Sequence, residues 1–400
     1  MAKDNTLLYY DSFYNREKDV MKLKMMNPDT GELSIVKVKK PKVPIYRLKA
    51  GVPVPQYYVE TQNLENLDVA MVNYKWRPYE IAKFINNYHT FKSAVQQKKM
   101  KMNEIYLDRR CIGSDKSLED LTIMQYLDSL GHTTTMQEIE VYPTRDNSFV
   151  DQFVRPQDKP EMKPIKKTVA VDEYDDVPPI RNLHKGFYDI ETDIRDTDER
   201  CKQPITCSTY IDDKHRVAEV FAMKRSDFKG QKDIIDNPDK FIKDAKSAII
   251  DMINASTLKG KAREKLLPKF IKFIEDMTVN IHWFNSEATM IRKSWKTMTQ
   301  DYKPQFLGIY NAKYDIGQTE MRADELGIDK SKLFCHPDVG DQYIFNNTNE
   351  SPKAKERRHD YLTESYTKII DTQITYFGLR PQDGLESESL DSVAKFENGF

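Results

Sequence analysis

Asp189 and Glu191 stand two apart at the end of a short apolar run, Gly186-Phe187-Tyr188-Asp189-Ile190-Glu191-Thr192. Strand side chains alternate between faces, so the two carboxylates point the same way. Like charges on one face of a core strand repel and resist desolvation unless a cation sits between them. The pair is therefore a candidate divalent-metal site, with a solvated strand end as the plainer alternative. A second stretch strengthens the metal reading. It runs Leu307-Gly308-Ile309-Tyr310-Asn311-Ala312-Lys313-Tyr314-Asp315, an apolar strand and then an Asn and an Asp four apart at the entry to a helix. Asp315 becomes a third candidate carboxylate, and an ordinary helix N-cap would use the same residue.

These two stretches resemble the first two exonuclease motifs of family B DNA polymerases, written Asp-Ile-Glu and Asn-x-x-x-(Phe/Tyr)-Asp. Further matches follow at Ile369-Ile370-Asp371-Thr372 and at Ser389-Leu390-Asp391-Ser392-Val393-Ala394, and a softer one at Trp283-Phe284-Asn285-Ser286-Glu287. Order and spacing are most similar to the replicative polymerases of large tailed bacteriophages. The resemblance covers roughly residues 181–400. It implies a ribonuclease-H-like 3′–5′ exonuclease domain that proofreads during viral DNA replication, within a nucleotidyltransferase.

Hydrolysis at a DNA 3′ end needs an activated water and a neutralised leaving oxygen. Two metal ions about 4 Å apart supply both. Hard ions, Mg²⁺ or Mn²⁺, take oxygen ligands, hence clustered carboxylates. The resemblance implies that Asp189 bridges the two ions, that Glu191 binds the one that activates water, and that Asp315 holds the other. It places Asn311 near the substrate, where a turn-forming Asn is the alternative. Phe187 and Tyr188 are candidates to pack beside the 3′-terminal base, or core residues. Tyr314 is a candidate substrate contact, although such a tyrosine more often serves the core.

These motifs need an α/β scaffold. Strands are predicted at 186–191, 205–211 and 216–223, the last two joined through Asp212-Asp213-Lys214. An amphipathic helix begins near Asn237-Pro238, with Phe241, Ala245, Ala248, Ile249 and Met252 on one stripe. Strand 279–284, helix 286–299, strand 305–310 and helix 315–326 follow. Residues 336–366 are long, polar and Asn-rich. In the resembling polymerases this region holds a hairpin that helps part primer from template, and Tyr343-Ile344-Phe345 and Tyr361 are candidates for its strands. Before all this, residues 1–154 read as an α+β domain. Strands are predicted at Leu7–Phe13, Val20–Met26, Glu32–Val38 and Gln137–Tyr142, and helices at Pro78–Asn87 and Ser117–Leu130. Residues 155–180, interrupted by Pro156, Pro160, Pro164, Pro178 and Pro179, read as a charged linker. The exonuclease domain then takes residues 181–400.

Composition narrows the classes further. The 400 residues carry a net charge of −1, with 31% charged and 39% hydrophobic residues. That balance fits a folded chain and argues against a purely DNA-wrapping protein, which would be basic. No apolar run approaches the roughly 20 residues that span a bilayer, and Met1-Ala2-Lys3-Asp4-Asn5 does not read as a leader. Four scattered cysteines suit a reducing cytoplasm, that of the host cell for a viral protein. His184, His215 and His282 show no partner arrangement in the sequence. No Walker A loop or Gly-x-Ser-x-Gly elbow occurs.

The chain departs from the family in one respect. A third motif, Tyr-x-x-x-Asp, supplies the family's fourth carboxylate and a Tyr that orients water, and it has no match in the required position. Palm, fingers and thumb are also absent. The resemblance thus implies the amino-terminal part of a longer polymerase, or one half of a split enzyme joined by a separate polymerase chain. Expected partners are single-stranded 3′ ends, primer-template DNA and a sliding clamp. Two other functions remain open: a free-standing DEDD-type nuclease and a non-catalytic DNA-binding module.

Overall fold

The computed structural model describes residues 8–27, 30–48, 60–63, 67–73, 111–112, 138–141 and most of 183–398. The helices expected at 78–87 and 117–130 and the linker at 155–180 lie outside the described residues. The chain divides into two compact units. One comprises Met1–Phe13, Lys24–Ile35 and Ile180–Phe400, and the other Tyr14–Leu23 and Val36–Pro179.

Strands β1 (Leu8–Asn15), β2 (Val20–Met26) and β3 (Leu33–Lys39) form a three-stranded sheet in that order. The β2–β3 connection turns at Gly31, whose φ of 73° suits a residue without a Cβ. Lys24, almost wholly buried, pairs with Asp11 at 2.8 Å and donates to the Thr367 carbonyl at 2.9 Å. A buried lysine needs both contacts, because its desolvated charge is otherwise uncompensated. In the other unit, β4 (Lys42–Leu48), β5 (Glu60–Asn63), β6 (Leu67–Asn73), β7 (Cys111–Ile112) and β8 (Glu138–Val141) pair antiparallel as β6-β4-β7 and β5-β8.

The larger unit is built on β9 (Lys185–Thr192), β10 (Ile205–Asp212) and β11 (Val217–Met223), an antiparallel meander. Helices α1 (Gln231–Asp236), α2 (Pro238–Asn254) and α3 (Gly260–Asp276) lead to β12 (Thr278–Phe284), which lies parallel to β11. Helix α4 (Glu287–Lys296) continues into a π-helical turn, Thr297–Tyr302, and then β13 (Phe306–Ile309). Next come α5 (Ala312–Glu325), α6 (Lys330–Phe334), the hairpin β14 (Tyr343–Asn349)–β15 (Arg358–Thr363), β16 (Lys368–Asp371), α7 (Thr372–Leu379) and α8 (Leu390–Asn398). The six-stranded mixed sheet has the order β12-β11-β10-β9-β13-β16, with β13 parallel to β9 and to β16.

Two sequence expectations need correction. The helix expected at 315–326 begins at Ala312, so Asp315 lies inside its first turn. The helix expected at 286–299 ends at Lys296, and the wider π turn carries Thr297, Met298 and Thr299 into the interior. The apolar stripe of α2 forms as expected but is incompletely covered: Phe241 is 44% and Met252 56% exposed.

The core lies on one face of the sheet. Tyr188 and Ile190 of β9 pack with Leu307, Ile309, Met290, Trp295, Ile316 and Phe334. Trp295 is its centre, tilted against Tyr188 at 5.4 Å and edge-on to Phe334 at 4.7 Å between centroids. Arg322 of α5 grips Glu287 of α4 through two hydrogen bonds, and Glu287 also accepts from the Ile205 amide at 2.8 Å. Gly186 of β9 lies against Tyr210, and a Cβ there would overlap the ring. We expect Gly186→Ala to cost about 1–3 kcal/mol as an overpacked core site. Chemical denaturation measures the loss, and an unchanged midpoint would disprove the close fit.

Candidate active site

The acidic end of β9 follows from a strand buried on one face. Tyr188 and Ile190 are buried, whereas Phe187, Asp189 and Glu191 are exposed on the other face. β13 runs parallel beside β9, so the helix that follows β13 starts near the carboxyl end of β9. Asn311 makes the turn between β13 and α5 in the left-handed conformation, with φ 55° and ψ 54°. Asn adopts that conformation more readily than most side chains. One turn later Asp315 is buried, and its Oδ1 accepts from the Ile190 amide at 3.2 Å. Ile190 sits between Asp189 and Glu191, so Asp315 is tied to the backbone between the two outward carboxylates. Among the described residues the three carboxylates do not close to metal-ligand spacing. Asp315 is not the helix cap: that position belongs to Asn311, and the Asp315 carboxylate reaches across to β9.

A second tie joins the same elements, a 2.9 Å hydrogen bond between Thr192 Oγ1 and the Tyr314 hydroxyl. Tyr314 thus has a positioning contact of its own. Phe187 is 48% exposed on the face that carries Asp189 and Glu191. Its ring lies over Gly308, where a Cβ would come within 3.1 Å. Tyr188, expected as a possible substrate contact, is instead a core residue at 3% exposure. Period-two alternation sends it to the opposite face from Phe187. Asn311 stands four residues before Asp315, one fewer than in Asn-x-x-x-(Phe/Tyr)-Asp, and its observed role is the turn.

The electrostatics follow from this crowding. Burial, and then the charge of Glu191, raises the Asp189 carboxyl above its usual range. Burial pushes Asp315 up to about 7, with Asp189 and Asp371 adding to the shift and the Ile190 amide opposing it. Asp371 was not a sequence candidate, although its segment carried part of the resemblance. It ends β16, pairs with Ile309 on β13, and caps α7 by accepting from the Ile374 amide at 3.1 Å. Its other oxygen is buried, with His359 Nδ1 3.6 Å away. Strand pairing alone brings it near Asp315.

Beyond the strand end, Asp193 and Asp227 are bound by Arg195 and Arg225 in a surface ion network. The histidines that had no partner in the sequence acquire them by folding. His282 meets Glu219 at 2.6 Å, and His184 and His215 both meet Asp212. No family model and no curated protein matches this chain.

The raised Asp315 carboxyl has a definite pH consequence in the metal-free protein. A folded-state pKa above the unfolded value adds stability that is complete below about pH 4 and lost as pH rises through about 7. In EDTA the parent should therefore lose about 2–3 kcal/mol relative to Asp315→Asn between about pH 5 and about pH 8. Denaturation of both proteins across that range measures the difference. Parallel pH profiles would show that Asp315 is ordinarily ionised in the fold.

Proposed function

We propose that residues 181–400 form a ribonuclease-H-like 3′–5′ exonuclease that proofreads DNA as part of a family B DNA polymerase. The carrying observation is the Asp315–Ile190 hydrogen bond, which gathers a third carboxylate to the backbone between Asp189 and Glu191. The sheet supports the reading: an antiparallel meander whose first strand, β9, is followed towards the sheet edge by two parallel strands, β13 and then β16. The β14–β15 hairpin, with Phe345 opposite Tyr361, is consistent with the expected strand-parting element.

The donor set fits a hard divalent cation, since Asp189, Glu191 and Asp315 offer only carboxylate oxygens. Bound there, Mg²⁺ or Mn²⁺ would acidify water and neutralise charge on the leaving oxygen. The raised carboxyl pKa values fit a site whose like charges lack a counter-ion. Glu191, exposed at the strand end, is placed to face incoming water. Phe187 offers an exposed ring on the same face for a terminal base, and base stacking of that kind contributes about 1–3 kcal/mol. Tyr314 and Thr192 hold α5 against β9 and so keep Asp315 in register.

A second reading, the free-standing nuclease, is favoured by Asp371. It is a further buried carboxylate within this chain, near enough to Asp315 to raise its pKa. The two readings differ in what the 400 residues do alone. As part of a polymerase they should degrade single-stranded DNA poorly, because the Tyr-x-x-x-Asp contribution is missing. Misplacing a water or ligand typically costs about a hundredfold. Adding the polymerase chain should restore cleavage. In that assembly Asp189→Ala combined with Glu191→Ala should reduce 3′ removal by orders of magnitude while leaving the fold intact. Cleavage retained by the double variant would reject the site. Full activity of the isolated chain, abolished by Asp371→Asn, would establish the free-standing nuclease instead.

A further inference from the structure

The opposite end of β9 carries a different cluster. His184 immediately precedes the strand, Asp212 ends β10, and His215 lies in the tight turn to β11. Antiparallel pairing sets Gly186 opposite Asp212, which brings the three side chains together. His184 Nε2 lies 2.5 Å from Asp212 Oδ2, and His215 Nδ1 lies 2.8 Å from Asp212 Oδ1. One nitrogen of each imidazole and a carboxylate oxygen all fall within 4.8 Å of one another. Along β9 the cluster stands about five residues from Asp189, roughly 16 Å at strand rise. It is separate from the acidic site.

We propose that His184, Asp212 and His215 form a binding site for a zinc-class transition-metal ion, which clips the start of β9 to the β10–β11 turn. Two imidazoles and one carboxylate are borderline-soft donors that suit zinc and are a poor match for magnesium. Tetrahedral zinc with bonds of about 2.0–2.1 Å spaces its ligand atoms by about 3.3 Å. The two nitrogen–oxygen separations would open by less than about 1 Å to meet that spacing, and the imidazole nitrogens, within 4.8 Å of each other, would adjust to the same value. The ion would displace the protons now shared between each imidazole and the carboxylate, to the other ring nitrogen or to solvent.

The surroundings favour this assignment. Asp212 is fully buried, and the Tyr210 hydroxyl donates to its Oδ2 at 2.5 Å. His184 is held through its backbone: its amide donates to Gln305 Oε1 at 2.8 Å, and its carbonyl accepts from the Gln305 amide at 2.9 Å. The Tyr210 hydrogen bond to the Asp212 carboxylate is of the kind that orients a metal ligand, and losing such a partner typically costs 10–100-fold in affinity. His215 is 46% exposed, which leaves an entry path and room for water as a fourth ligand.

The test uses the complete 400-residue chain, stripped with EDTA and titrated with Co²⁺, whose visible spectrum reports four-coordinate binding. We expect saturable uptake of one four-coordinate ion, displaced by Zn²⁺ and not by Mg²⁺. Asp189→Ala with Glu191→Ala should leave it unchanged. His215→Ala, at the exposed corner, should weaken it by at least about tenfold, and zinc should raise the melting temperature of the parent but not of this variant. Circular dichroism of metal-free His215→Ala verifies its fold, and His215→Gln serves in its place if the alanine protein does not fold. The proposal is overturned by absence of saturable uptake, which would make the cluster a hydrogen-bonded brace only. Binding unaffected by loss of His215, or lost with Asp189 and Glu191, would overturn it equally.

Discussion

β9 is buried on one face and open on the other, and the rest of the larger unit depends on that asymmetry. Tyr188 and Ile190 commit one face to the core around Trp295. The same commitment forces Phe187, Asp189 and Glu191 outward together. A one-residue slip in register would exchange the faces, burying two carboxylates and exposing the tyrosine. Pairing with β10 on one side and β13 on the other excludes that slip.

The acidic site is electrostatically costly, and its cost is localised. Asp315 is buried with one backbone donor in place and with carboxylates nearby, so its proton is held far more tightly than in water. Stability for this arrangement comes from elsewhere in the unit. The buried Arg322–Glu287 pair links α5 to α4 and, through the Ile205 amide, to β10. The Thr192–Tyr314 hydrogen bond closes the same gap nearer the carboxylates. α5 is therefore anchored at both ends of its first three turns, which is what lets a repelling residue persist at its start.

The two ends of β9 differ in donor chemistry. One gathers carboxylates alone, the other two imidazoles around a carboxylate, and hard and borderline-soft cations discriminate between such sets. Both clusters arise where neighbouring strands end together. At the acidic end the neighbour is parallel and contributes a helix start. At the histidine end it is antiparallel and contributes a turn.

Local pattern was enough to determine much of the sheet. The short run at 186–191, the polar turn at Asp212-Asp213-Lys214 and the apolar runs at 279–284 and 305–310 marked strands within a residue or two of their observed bounds. Asp189 and Glu191 shared a face by period two alone. What the sequence left open were properties that depend on a second segment. Asp315 kept a helix cap as its alternative until β9 supplied the Ile190 amide, and Asn311, expected near the substrate with a turn as the alternative, takes the turn conformation. Tyr188 could stack on a base only on the exposed face, and the core claimed the other. Asp371 joined the acidic end because β16 pairs with β13, and His184 and His215 found Asp212 because β9 pairs with β10. Periodicity is a property of neighbouring residues and survives in the letters. Convergence of charges across strands is set by sheet order and register, which only the folded chain decides.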